Sequence, residues 1–152
     1  MIYTGSCTEV RITGRWARCT LLDSTRIKEF KLKQAALKQQ GYYVNPLNDE
    51  IFITNALVPY HRAPEHIKRR IEYIVHKTFD TLWALDSDCK MSESQLVYWT
   101  CFCMVLSDIP GYIKEYFKWA AGQGARLDCL VENVLYDPKA DRLVFHDLLY
   151  QE

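Results

Sequence analysis

The chain has 152 residues, of which 49% are hydrophobic and 25% are charged, and its formal net charge is zero. This balance is typical of a single folded domain with a substantial core, and it excludes a disordered chain. Without a net charge there is no bulk electrostatic attraction to nucleic acid or to a membrane surface, so we expect neither as a partner.

The first half of the chain, residues 1–60, is predicted to be a β-rich lobe with one helix. Val10–Ile12 and Trp16–Leu21 flank a turn at Gly14, which predicts a hairpin. A helix from about Ser24 to Gln40 follows, because Asp23-Ser24-Thr25 is a capping cluster and Gly41 is a natural helix terminator. Two further strands are predicted, at residues 42–44 and 51–54.

The second half, residues 61–152, is predicted to be a helical lobe that ends in a β-hairpin. Apolar residues recur at helical spacing after Pro64, after the capping pattern Ser92–Gln95, and after Pro110. Three helices should therefore run from about Pro64 to residue 85, from Ser92 to Leu106, and from Pro110 to Gly122 or Gly124. No apolar run reaches the roughly 18 residues of a membrane span.

Two further features bear on the compartment of the protein. The first residues lack the basic region followed by an apolar region that marks a secretory signal, so we expect a cytoplasmic protein. The six cysteines have irregular spacing and no C-x-x-C pair. Free thiols are therefore expected, and a zinc site is not.

The functional prediction concerns the last hairpin. Two apolar runs, residues 134–136 and 143–145, flank the turn-forming segment Asp137–Asp141. Asp128 and Asn133 precede the hairpin, and Asp147 follows it, so all three return to the same end. Two carboxylates and an amide oxygen are suitable ligands for one hard cation.

The spacing D-x-x-x-x-N, a hairpin and a following Asp resembles the catalytic and metal-binding core of the protein-kinase-like fold. The family pattern is H-R-D-x-x-x-x-N followed by D-F-G; here the segments are Arg126-Leu127-Asp128 and His146-Asp147-Leu148. The resemblance implies an α+β, kinase-like minimal domain. In it Asp128 would accept the proton of the attacking hydroxyl, while Asn133 and Asp147 would hold Mg²⁺ on the phosphates of ATP.

The same resemblance implies roles near the N-terminus. Gly5 would belong to the loop that covers the phosphates, and Glu29 would be the acid that pairs with the nucleotide-binding lysine. The predicted strand that begins at Trp16 holds Arg18 but no lysine, so Lys28 or Lys31 on the following helix would have to supply it.

Several functions remain open at this stage. The first is an ATP- and Mg²⁺-dependent, Ser/Thr kinase-like phosphotransferase acting on a protein, of the truncated kind expected among bacterial effectors or bacteriophage proteins that act on host factors. The alternative is a catalytically inactive kinase-like module that binds, and inhibits or redirects, a protein partner. A site-free domain also fits, with Asp128 and Asn133 as loop caps and Asp147 as a strand-end residue. Candidate interface anchors for the inactive module are the aromatic residues Trp16, Tyr42, Tyr43, Tyr60 and Tyr150.

Overall fold

The computed structural model describes nine stretches of the chain. They are residues 2–4, 8–13, 16–42, 50–53, 57–85, 109–124, 126–127, 130–146 and 149–150. Within these stretches the protein combines three α-helices with small antiparallel β-sheets. The predicted α+β class is therefore confirmed.

The N-terminal strands form one antiparallel sheet in the order β1-β2-β3-β4. The predicted hairpin is β2 and β3, whose register pairs Thr13 with Trp16 and Val10 with Cys19. Strand β3 is an inner strand, because Cys19 also faces Ile51 of β4. The four strands are β1 (Ile2–Thr4), β2 (Thr8–Thr13), β3 (Trp16–Leu21) and β4 (Glu50–Ile53).

Helix α1 spans Ile27–Gln39 and is entered through a 3₁₀ turn at Ser24–Arg26, which confirms the predicted helix to within one turn. The Asp23 carboxylate caps the entry by accepting hydrogen bonds from the backbone N–H and the hydroxyl of Thr25, at 3.0 and 2.7 Å. The helix buries a single face against the rest of the protein. The residues of that face are Phe30, Lys33, Gln34, Ala36 and Leu37.

The C-terminal end of α1 is closed by a Schellman cap. Gly41 adopts a φ of 93°, a conformation that is open to glycine and costly for most other residues. This turn lets the Gly41 and Tyr42 N–H groups donate to the carbonyls of Lys38 and Leu37. Tyr42 therefore belongs to the cap and not to the strand predicted at 42–44, whose other two residues lie outside the described ranges.

Two longer segments of the second half are helical, as predicted. Helix α2 spans Glu65–Leu85 and follows Pro64, while helix α3 spans Gly111–Ala121 and follows Pro110. The helical apolar spacing in the sequence matches the buried faces, because Ile67 and Ile71 of α2 are at most 1% exposed. The helix predicted from Ser92 to Leu106 lies outside the described residues.

The predicted C-terminal hairpin is confirmed, with β7 at Val134–Asp137 and β8 at Arg142–Phe145. Its turn is stabilised by Asp137, whose Oδ1 accepts from the N–H groups of Lys139 and Ala140 at 3.0 and 3.1 Å. The described residues also include three strands of two residues each. Strand β5 (Val58–Pro59) pairs with β7, and β6 (Arg126–Leu127) pairs with β9 (Leu149–Tyr150).

The hairpin lies between two apolar clusters. Because side chains alternate along a strand, Leu143 and Phe145 of β8 enter a main core with α2 and α3, while Val144 enters a second core. All three are fully buried. The second core joins strand β3, helix α1 and the hairpin, so α1 and β8 contact both cores. Its buried residues are Cys19, Phe30, Leu37, Leu57 and Val144.

Among the helices of the described ranges, none combines the length and the low polarity that crossing a membrane requires.

The cap of α1 is tied to the turn of the hairpin by one hydrogen bond. The Tyr42 hydroxyl donates to Asp137 Oδ2 at 2.5 Å, and Asp137 is only 3% exposed. Burial, and then this bond and the Asp137 charge, raise the pKa of Tyr42 well above its usual range. The neutral phenol is thus favoured by folding. Its contribution to stability is present below the unfolded pKa of about 10 and is lost as pH rises above that value.

Replacing Tyr42 with phenylalanine should therefore lower the free energy of unfolding at pH 7 by about 1–2 kcal/mol, because a buried carboxylate loses a donor. The difference between wild type and Tyr42→Phe should shrink above about pH 10, where the unfolded tyrosine ionises. Urea unfolding at pH 7 and at pH 11 measures both quantities, with Tyr73→Phe at an exposed tyrosine as the control. If the two proteins differ in free energy of unfolding by the same amount at pH 7 and at pH 11, the hydrogen bond from Tyr42 to Asp137 does not stabilise the fold as described.

Candidate functional site

The two residues that flank the hairpin strands meet at one end of the molecule. Asn133 closes a 3₁₀ turn at Val131–Asn133 directly before β7, and His146 follows β8. The His146 N–H donates to the Asn133 carbonyl at 3.1 Å, which extends the β7–β8 ladder by one step. We call this pair of residues the open end of the hairpin. Asn133, predicted from sequence as a metal ligand, is 9% exposed there.

The pairing of β6 with β9 brings the flanks of the other two predicted residues together. Leu127, which directly precedes Asp128, is opposite Leu149, which follows Asp147 by two positions. Asp128 and Asp147 themselves lie outside the described residues. The described part of the chain thus places Asn133 and joins the flanks of the two aspartates on either side of the open end.

The side-chain amide of Gln40, at the C-terminal end of α1, hydrogen-bonds the outer backbone edge of β8. Gln40 Nε2 donates to the Phe145 carbonyl at 2.5 Å, and Gln40 Oε1 accepts from the Phe145 N–H at 2.8 Å. The amide also donates back to the Ala36 carbonyl at 3.0 Å, which fixes its orientation. Gln40 is 7% exposed, so these bonds form away from water. The residue before His146 is therefore fastened to α1 as a neighbouring strand would fasten it.

A buried lysine on α1 approaches the same region. Lys33 is 8% exposed, and its Nζ lies 3.8 Å from the Sγ of Cys19 on β3. Cys19 is itself buried, at 7% exposed. The charge of Lys33 also acts on His146. Sequence reasoning missed Lys33, although its spacing from Phe30 and Leu37 already placed it on the apolar stripe of the helix.

The surroundings of His146 favour its neutral imidazole form. Burial, followed by the positive charge of Lys33, lowers the pKa of His146 well below its usual range, and a hydrogen bond to the Glu132 backbone opposes the shift only in part. The Nε2 atom of His146 is buried and has no hydrogen-bond partner among the described residues. Among the described residues, the open end thus has a buried lysine near it and a histidine whose Nε2 lacks a partner.

Two of the residues predicted to bind nucleotide near the N-terminus, Lys28 and Glu29, lie in the first turn of α1. Lys28 is exposed on the first turn of α1, and Lys31 is exposed beside it. Glu29 forms an ion pair with Arg26, at 2.7 Å between Oε2 and a guanidinium nitrogen, and not with a lysine. Gly5 lies outside the described residues. Of the three lysines in this part of α1, only Lys33 is on the buried face.

The aromatic residues predicted as surface anchors need a correction at two positions. Tyr42 and Tyr60 are half-buried and pack against the two cores. Their hydroxyls are engaged inside the protein, with Asp137 for Tyr42 and with Glu72 for Tyr60. Neither ring is available as an exposed anchor, because each packs against an apolar core. The side chains of Trp16, Tyr43 and Tyr150 lie outside the described part.

A divalent cation would find one described oxygen ligand at the open end, the amide of Asn133. Within the described ranges, no group of three His, Cys, Asp or Glu residues is arranged to hold a metal ion. A site there would thus need the carboxylate of Asp147, which directly follows His146.

Comparison with protein-family models, with curated proteins and with solved structures finds no match for this chain. The functional argument therefore depends on the geometry of the open end and on the sequence motifs around it.

Proposed function

We propose that the protein binds ATP with Mg²⁺ at the open end of the hairpin and transfers the terminal phosphoryl group to a hydroxyl of a protein substrate. It would then be a minimal, kinase-like phosphotransferase, working in the cytoplasm, where ATP and Mg²⁺ are both available. The observation that carries the proposal is the double closure of this end, by the β6–β9 pair and by the bond between His146 and Asn133. It supports a common location for the three motif residues.

In this proposal Asp128 accepts the proton of the substrate hydroxyl as its oxygen bonds to the γ-phosphorus. The bond from that phosphorus to the bridging oxygen breaks, and ADP leaves with the electron pair. Such a reaction asks the protein mainly to position the reactants and to neutralise charge. A well-held open end suits this role, because Gln40 bonds the backbone of Phe145 and Asn133 accepts from the N–H of His146.

The ligands proposed for Mg²⁺ are the amide oxygen of Asn133 and the carboxylate of Asp147. Oxygen ligands of this type suit a hard cation, and Mg²⁺ completes its shell with phosphate oxygens and water. When bound, the metal neutralises charge on the phosphates.

A catalytically inactive, kinase-like binding module is the second candidate function. The observation that favours it is the sequence of strand β3, Trp16–Leu21, which contains no lysine. Loss of a phosphate-binding lysine would weaken nucleotide binding and leave the fold free for contact with a partner protein. The two candidates differ in whether nucleotide binds at all.

Thermal unfolding of the wild-type protein tests the proposal. A ligand that binds only the folded state at 100 times its Kd adds about 2.7 kcal/mol of stability. For a chain of this size, that gain should raise the Tm by about 5–10 °C. The shift should require ATP and Mg²⁺ together and should disappear with EDTA. The proposal fails if ATP with Mg²⁺ produces no shift, or if the shift is the same in EDTA.

A further inference from the structure

Lys33 is a buried lysine with no carboxylate partner among the described residues. It is 8% exposed, and its one polar contact with a described residue is the 3.8 Å approach to the Cys19 thiol. The ion pairs of the described chain involve other residues, so no carboxylate there neutralises Lys33. A buried charge without a partner is costly, since neither water nor a counter-ion stabilises it. A function that needs the charge would explain why it is kept.

The surroundings of Lys33 restrict what the missing anion can be. Phe30 and Leu37 flank the lysine on the buried face of α1, and Val144 of β8 belongs to the same second core. On the side of the hairpin stands His146, whose Nε2 is a second buried polar atom without a described partner. The ammonium contacts Cys19 of strand β3, and its charge acts on the His146 ring at the open end of the hairpin. A polar ligand that reached both groups would satisfy them.

We infer that Lys33 binds a phosphate-class oxyanion at the open end of the hairpin and that, within the proposed function, this oxyanion belongs to the triphosphate of ATP. The identification of the anion as part of ATP rests on the proposed function. The binding of a phosphate-class oxyanion by Lys33 does not. A lysine ammonium is a compact charge with three donors, which suits phosphate oxygens. The buried Nε2 of His146, which has no hydrogen-bond partner among the described residues, is a second polar atom that an oxygen of the anion or a water beside it can contact.

Lys33→Met tests this inference in the full chain, with inorganic pyrophosphate and ATP with Mg²⁺ as separate probes. Methionine keeps the length and the apolar stem of lysine and removes the charge. We expect it to weaken the binding of both probes at least about tenfold, the usual scale for a lost charge-assisted contact. The unliganded variant should melt no lower than wild type, because an unpaired buried charge has been removed. Isothermal calorimetry measures the affinities, and a thermal scan measures the Tm.

The matched control is Lys38→Met, which removes an exposed lysine from the last turn of the same helix and should change either affinity less than twofold. Lys28→Met addresses the lysine that the sequence had indicated. If Lys28→Met abolishes binding and Lys33→Met does not, the inference is overturned. Unchanged affinity for both probes in Lys33→Met also overturns it.

The remaining outcomes separate this inference from the proposed function. If wild type binds pyrophosphate through Lys33 and does not bind ATP with Mg²⁺, the phosphate site stands and the proposed function fails. If wild type binds ATP with Mg²⁺ and Lys33→Met does so equally well, the proposed function stands and the phosphate site at Lys33 is overturned. A much lower Tm of the unliganded variant, or failure of both Lys33→Met and Lys33→Gln to fold, would show that Lys33 is a structural ion-pair partner and overturn the inference.

Discussion

Replacing Asp147 with asparagine is expected to abolish Mg²⁺-dependent nucleotide binding, with a loss of affinity well above about tenfold. The reason is that the proposed site offers two protein oxygens to the cation, and Asp147 supplies the only negative charge of the pair. Asparagine keeps the shape of the side chain, so the backbone that follows β8 should stay in place. Calorimetric titration of ATP at fixed Mg²⁺ measures the loss.

Asp128→Ala gives the necessary contrast within the same experiment. Since Asp128 is proposed to handle only the hydroxyl proton, its loss should leave the affinity for ATP nearly unchanged. Transfer of radiolabelled phosphate to a protein substrate should fall by about 10²–10⁴-fold, the usual range for a missing general base. The two variants thus separate binding from transfer.

A suitable control for both aspartates is Asp141→Asn, at the opposite end of the hairpin. Asp141 has a φ of 49°, which asparagine tolerates well, and its oxygen accepts from the Tyr136 hydroxyl at 2.7 Å, which an amide oxygen can replace. This variant should bind ATP as wild type does. Unchanged Mg²⁺-dependent affinity in Asp147→Asn would show that Asp147 is not a metal ligand.

Replacing Gln40 with leucine is expected to destabilise the protein by about 2–4 kcal/mol, the largest effect on folding that we anticipate. Leucine fills a similar volume and cannot hydrogen-bond. The N–H and the carbonyl of Phe145 would then be buried without partners, and each unsatisfied group costs about 1–3 kcal/mol. In a buried hydrogen-bond network, the loss of one member should remove the full stabilisation that its bonds provide. Urea unfolding followed by tryptophan fluorescence measures the change in the free energy of unfolding.

Gln39→Leu is the matched control, since Gln39 is the exposed neighbour of Gln40 on the same helix. It should change the free energy of unfolding by less than about 0.5 kcal/mol. Hydrogen exchange gives a local measurement: the Phe145 amide should exchange faster in Gln40→Leu than in Gln39→Leu. A loss below about 1 kcal/mol in Gln40→Leu would mean that water replaces the lost bonds and that α1 does not hold β8.

These predictions depend on features of different kinds, some visible in the sequence and others not. The hairpin of residues 134–145 was predictable, because two apolar runs flank a segment in which Asp137 can bond to its own turn. Helix α1 was predictable for the same reason, since Asp23 and Gly41 mark its ends by local chemistry. Asn133 could be placed next to β7 from the motif alone.

The predictions about long-range partners fared differently. Lys28 looked as suitable as any lysine on α1, and only packing showed that Lys33 faces the sheet and the hairpin while Lys28 faces solvent. Tyr42 looked like part of a strand and like a surface anchor. It is neither, because Gly41 turns the chain and Asp137, far along the sequence, takes its hydroxyl.

The sequence by itself determined the α+β class and the position of the hairpin, because turns, caps and apolar periodicity act between residues close along the chain. Only the tertiary structure decided that Lys33 is buried beside Cys19 and that Gln40 fastens Phe145, 105 positions away. Such contacts join segments that the chain keeps far apart. They form when α1 and β8 pack into two apolar clusters, and local sequence patterns do not predict which side chains become buried in that packing.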